Sequence, residues 1–130
     1  MASPASGPTN IGVAPNVGGL LCYIPCCIGF FFSIVAAVIE KQSRFVRFHA
    51  FQSLLLHAGM VVLSLGLFIV SLVLAFANIG FLNLLLIPIR MLLGLAILAV
   101  LIILMIKANN GEEYELPVIG EMARKWASGN

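Results

Sequence analysis

The sequence predicts an all-α integral membrane protein with three transmembrane helices, and three observations carry that reading. Of 130 residues, 62% are hydrophobic and only 9% are charged, whereas an ordinary soluble domain runs near half apolar and a quarter charged. The apolar residues fall in runs longer than the roughly 18 that mark a membrane-spanning helix. The basic residues gather at the ends of those runs. A net charge of +2 without a longer basic stretch gives no reason to expect a nucleic-acid partner.

Residues 1–16 read as a flexible arm, rich in Ala, Ser, Gly, Pro and Asn and free of Lys and Arg. A secretory signal needs a basic segment before its apolar core, so the first apolar run is expected to be retained. Residues 17–108 form the membrane domain and residues 109–130 a cytoplasmic interfacial tail. The spans run from about Val17 to Ile39, Phe48 to Phe76 and Phe81 to Ile106. At ~1.5 Å per residue each is long enough to cross a ~30 Å hydrocarbon core. The short Ala77 to Gly80 turn makes spans two and three a hairpin.

Charge sets the expected orientation. Lys41, Arg44 and Arg47 lie between spans one and two, and Lys107, Arg124 and Lys125 follow span three. The arm and the hairpin turn carry no charge. Three crossings then place the N-terminus outside and the C-terminus inside the cell's inner (plasma) membrane by the positive-inside rule. Arg44, Arg47, Lys107 and Trp126 are interface anchors, with Phe45, Phe48 and Phe51 entering the hydrocarbon boundary. Arg90 lies about 25 Å along the helix from Lys107. It is either an outer-interface anchor that snorkels or finds Ser and carbonyl partners near Pro88, or a functional buried cation.

Local signals punctuate the spans. Ser43 is placed to cap the second helix, and Asn109-Asn110-Gly111 to stop the third. Pro117 opens a short amphipathic helix with Ile119, Met122 and Trp126 on one side. Glu121, Arg124 and Lys125 take the other, so this helix is expected to lie on the cytoplasmic membrane surface.

Span two carries a polar side: Ser53, His57, Ser64, Ser71 and Asn78 recur at spacings of four and seven, with Gln52, Gly59 and Gly66 beside them. Lipid offers hydroxyls and amides no partner, so these sides are expected to meet protein. Span one answers with small residues (Cys22, Cys26, Gly29, Ser33, Ala36 or Ala37), along which the two spans are expected to pack. Cys22, Cys26 and Cys27 lack the spacing of a metal site and read as small packing residues. His49 is expected near the headgroups, ordering the helix entrance. His57, about 15 Å deep by helical rise, leaves two readings open. One is a neutral imidazole bonded to Ser or backbone; the other is a ligand to haem or a chlorophyll-type pigment, or a proton carrier. With no Asp, and all five Glu outside the apolar runs, neither a metal site nor catalytic residues are expected.

The segment Phe45-Val46-Arg47-Phe48-His49-Ala50-Phe51-Gln52-Ser53 opens one span, and Ile106-Lys107-Ala108-Asn109-Asn110-Gly111-Glu112 closes the next. With Tyr114 to Gly120 after them, they resemble a prokaryotic membrane family of unknown function related to the Tic-twenty subunit of the chloroplast inner-envelope import translocon. The resemblance covers about Gly18 to Ala123. It implies a small helical membrane fold without an established reaction; the chloroplast relatives have four spans where this chain offers three. The resulting expectation is a non-enzymatic multi-pass membrane protein, an assembly or translocation-associated component. Its partners would be the lipid bilayer and other membrane-protein helices or further copies of itself. The alternative is an accessory subunit of a respiratory or photosynthetic complex, touching a pigment or haem through His57.

Overall fold

The structure, a computed structural model, describes residues 5–25 and 27–129. Among them the regular structure is helical, and two long apolar helices dominate it: α3 (Arg44–Phe76) and α4 (Asn83–Asn109). They form the expected hairpin. Ser43 is the N-cap of α3, its hydroxyl accepting from the Val46 N–H at 3.3 Å. At the far end Asn78 takes φ 59°. Around it the N–H of Asn78 donates to Ala75 O and that of Ile79 to Leu74 O, the paired bonds of a Schellman cap. A single 3-10 turn, Gly80–Leu82, leads into α4. The same cap closes α4: Gly111 takes φ 78°, with Gly111 N–H donating to Ala108 O and Glu112 N–H to Lys107 O.

The first apolar run departs from expectation. It is two short helices, α1 (Pro15–Leu21) and α2 (Cys27–Ile39), rather than one span. Pro25 explains the break: it has no N–H to donate, and its ring disfavours helical backbone at the residue before it. Tyr23 N–H and Ile24 N–H turn back instead onto Leu20 O and Leu21 O. At ~1.5 Å per residue the 13 residues of α2 reach about 20 Å, short of a ~30 Å core.

The run therefore enters and returns at one end of the hairpin. Asn10 N–H donates to Glu40 Oε2 at 2.8 Å, and Lys41 N–H donates to Asn10 Oδ1 at 2.8 Å. Asn16 Nδ2 reaches the Asn109 carbonyl at 3.3 Å. The segment before α1, the α2–α3 loop and the end of α4 thus share the basic end of the molecule. Among the described residues two helices, rather than the expected three, have the length and apolarity to cross a membrane. Nor is the arm loose over its last residues, since Asn10 and Ile11 are both tied to Glu40.

Packing concentrates at that end. The small residues of the first run do meet α3: Cys22, Ala36, Phe45, Val46 and Ala50 share one cluster, and Ser33 Oγ donates to the carbonyls of Cys22 and Gly29. Cys26 lies outside the described residues. Tyr23 packs with Leu101, Leu104 and Ala108 of α4. The last helix, α5 (Ile119–Ser128), sits against the start of α3, with Ala123 and Ala127 on Phe48. Its buried face is Gly120, Ala123 and Ala127, while Met122 and Trp126 of the side expected at the membrane stay exposed. Small residues allow two helices to approach closely, and that close approach selects this face.

Beyond Met60 the two long helices are exposed nearly all round. They barely touch between the basic end and the turn. A cavity of about 390 Å³ opens there, lined by Ser64, Leu67, Arg90, Gly94 and their neighbours.

Candidate functional site

The basic end holds a buried polar network that ties three parts of the chain together. Gln52 is its hub. Its side-chain nitrogen donates to Tyr23 Oη and to the Tyr114 carbonyl, both at 2.9 Å, and its oxygen accepts from Leu116 N–H at 3.0 Å. Tyr23 Oη lies 2.9 Å from His49 Nδ1. Because Gln52 donates to the Tyr23 oxygen, the phenol proton is free to go to His49, which puts the proton of a neutral imidazole on Nε2. That nitrogen is buried, with the Glu112 backbone near it but no hydrogen bond of good geometry. Tyr23, Phe45 and Phe48 surround the ring at 4.5–5.5 Å between centroids. His49 is therefore a fully enclosed core residue at the start of α3. Ser53 Oγ donates to the Cys22 carbonyl at 2.6 Å, satisfying a backbone group that the break in the first run leaves open.

Glu40 is the second tie. It is fully buried, and its two carboxylate oxygens accept the backbone N–H groups of Asn10, Ile11, Gln42 and Ser43. Several N–H donors on one carboxylate satisfy it without a cation.

Deeper along α3 lies His57. Its Nδ1 is 2.7 Å from the Ser53 carbonyl; a carbonyl only accepts, so Nδ1 donates there and Nε2 is the nitrogen left outside that bond. This is the backbone-bonded imidazole of the first reading. Phe30 lies 5.5 Å from the ring between centroids. An apolar cavity of about 310 Å³ is lined by Cys27, Phe30, His57, Met60, Val61 and Leu101. Among the described residues no group of three or more His, Cys, Asp or Glu is placed to hold a metal ion.

The predicted polar side of span two divides. Gln52, Ser53 and His57 meet protein as expected. Ser64 is exposed and lines the open cavity between α3 and α4. Ser71 donates to Leu67 O and accepts from Arg90, whose Nη2 stands 2.5 Å from Ser71 Oγ and 2.9 Å from Leu67 O. Arg90 thus bridges the hairpin through the Ser and carbonyl partners expected. Asn78 leaves the set, because α3 ends at Phe76 and Asn78 caps it with left-handed backbone. Asparagine tolerates that backbone better than most residues.

Of the anchors, Arg44 is exposed and Arg47 half-buried at the start of α3. Lys107 pairs with Glu112 at 2.8 Å, and Arg124 with Glu113 and Glu115. Tyr23, Glu40 and Asn10 were missed as structural ties. The available signals were a lone phenol inside an apolar run and a lone carboxylate beside the basic segment.

These features define a class: a helical protein built on an apolar hairpin of 33- and 30-residue segments, whose most apolar 18-residue stretches have mean hydropathy 2.6 and 2.9, clamped at one end by a polar network. Residues 9–123 match the magnetosome magnetite crystal formation protein family, and the chain belongs to it. It is 36% identical to a UPF0132 membrane protein of Methanocaldococcus jannaschii over 121 residues, 93% of this chain and 96% of that one. It is 34% identical to a UPF0132 membrane protein of Archaeoglobus fulgidus over 114 residues, 88% of this chain and 96% of the relative. No solved structure matches the chain. The family match corrects the Tic-twenty reading: residues 9–123, which include the motifs around Arg47 to Ser53 and Lys107 to Glu112, match the magnetosome-type family, and these relatives are archaeal membrane proteins.

Proposed function

We propose that this protein is a non-enzymatic scaffold of the plasma membrane that crosses the bilayer twice and receives a transmembrane helix of a partner protein between α3 and α4. In this reading the α1–α2 pair dips into the membrane and returns. The basic end, with both termini, faces the cytoplasm, where the positive-inside rule puts Lys41, Arg44, Arg47 and Lys107. The observation that carries the role is the open middle of the hairpin. Ser64 and Gly94 line its cavity with Arg90. Small residues let a third helix approach, and hydroxyl and guanidinium groups offer it hydrogen bonds where lipid cannot.

The family is described by magnetosome magnetite crystal formation and the archaeal relatives as membrane proteins. What these descriptions share with the fold is a membrane setting, and a helix-holding scaffold fits either. A photo-crosslinker at Ser64 or Gly94, activated in cells, tests the role. Adducts to a membrane protein support it; adducts to lipid alone contradict it.

One observation favours a second reading, an accessory subunit that touches a pigment or haem. His57 presents an unbonded Nε2 beside an apolar cavity, with its other nitrogen fixed on a backbone carbonyl, as metal-ligating histidines are held. Visible absorption of the purified protein that vanishes in His57→Ala supports this reading, and a colourless protein removes it.

A further inference from the structure

The notch where α5 leans on the start of α3 combines charge, an aromatic platform and an unmet hydrogen-bond donor. Arg47 and Phe51 from α3 and Lys125, Trp126 and Gly129 from α5 line a cavity of about 360 Å³. The Arg47 guanidinium lies 5.7 Å from the Phe51 ring centroid, and Phe51 meets Trp126 edge-on at 5.9 Å. Arg47 Nη2 reaches the Trp126 carbonyl only at 3.5 Å, while Arg47 Nε is buried without a partner. Stacking holds the fork in place and leaves its donors underused.

The carboxylates of this end are committed elsewhere. Glu112 pairs with Lys107, Glu113 and Glu115 with Arg124, and Glu40 with backbone N–H groups. Glu121 pairs with Lys125 of the notch at 3.3 Å along α5, with both side chains 73% exposed. An exposed pair of this kind is worth little and yields readily to a stronger partner. Among the described residues Arg47 has no carboxylate partner. A guanidinium fork beside an ammonium is the arrangement that takes a phosphate group, the fork through two parallel bonds and the ammonium as a point charge.

We propose that Arg47 and Lys125 form a binding site for the phosphate of one anionic phospholipid headgroup, with Trp126 at the interface beside it. A lipid source is favoured over free phosphate by position. The notch lies at the end of the apolar hairpin, and the exposed Trp126 and Met122 of α5 flank it, as aromatic residues do at headgroup level. The site rests on reading the hairpin as membrane-spanning, but not on how many times the chain crosses.

Native mass spectrometry of the protein, extracted in mild detergent from vesicles of equal phosphatidylglycerol and phosphatidylcholine, reads the site directly. The wild type is expected to retain one phosphatidylglycerol. Arg47→Gln and Lys125→Gln should each lower that retention roughly tenfold, while Arg44→Gln, which removes the same charge from the same end, leaves it unchanged. Equal loss in all three variants, or retention in Arg47→Gln with folding intact by circular dichroism, overturns the proposal. So does displacement of the lipid by millimolar inorganic phosphate, which would assign the site to the free anion. A protein that inserts only once and still retains the lipid would refute the two-crossing scaffold and leave this site standing.

Discussion

The Glu40 carboxylate holds the backbone N–H of Asn10 at 2.8 Å across thirty residues of sequence. Asn10 returns the contact by accepting from Lys41 and Gln42 through its side-chain oxygen. This reciprocal clasp closes the first apolar run into a loop whose two ends meet. It also explains how a carboxylate can be fully buried without a cation: four N–H groups share its charge.

Glu40→Gln should weaken the clasp without emptying the space. The amide keeps one acceptor oxygen and loses the charge that strengthens every bond to it. A cost of at least about 2 kcal/mol is expected from charge-assisted bonds exchanged for neutral or missing ones. Thermal unfolding in detergent measures it, and Lys41→Ala, which touches none of these acceptors through its side chain, should be near neutral.

Gly120 marks where α5 comes closest to the rest of the chain. A Cβ there would stand 2.6 Å from Glu115 Cβ and 2.9 Å from Gln52 Oε1. Gly120→Ala is therefore expected to push α5 off the network and cost about 1–3 kcal/mol, as overpacking does. Limited proteolysis should then release the tail from residue 119 onward earlier than in the wild type.

Val118 takes φ 67° and ψ −56° as it hands the chain into α5. The Ile119 N–H donates to the Pro117 carbonyl at 2.7 Å. That is the rarer, strained form of the three-residue turn, and a β-branched side chain makes it worse. Val118→Gly should stabilise the protein by up to about 1 kcal/mol, after strain relief is offset by the greater freedom of glycine when unfolded. Val118→Ile should bring no gain. The melting temperatures of the two variants, set against the wild type, separate the outcomes.

What the sequence made legible was local or periodic. The hairpin follows from two long apolar runs around a short turn, the cap at Ser43 from a hydroxyl before the helix, and the stop at Asn109-Asn110-Gly111 from a residue free to turn left-handed. Arg90 was legible too, because a lone cation in an apolar helix must find a hydroxyl or a carbonyl, and Ser71 and Leu67 supply them. The break in the first run was not, since apolar residues flank Pro25 on both sides and a hydropathy window averages over it. The face of α5 that packs on α3, Gly120, Ala123 and Ala127, was not legible, because close helix approach rewards small residues that carry little hydrophobicity. The network of Tyr23, His49 and Gln52 joins residues up to 64 positions apart, and no local pattern announces such a pairing.

The clasp between Asn10 and Glu40 leads to the claim on which the rest depends, that the N-terminal segment lies on the same membrane face as the C-terminus. Short epitope tags at the N-terminus, at the C-terminus and within the Asn78–Ile79 turn test it in spheroplasts, probed by antibody before and after permeabilisation. Both terminal tags should be reached only after permeabilisation, and the turn tag in intact spheroplasts. An N-terminal tag reached from outside, with the C-terminal tag still protected, would mean an odd number of crossings and would contradict the account.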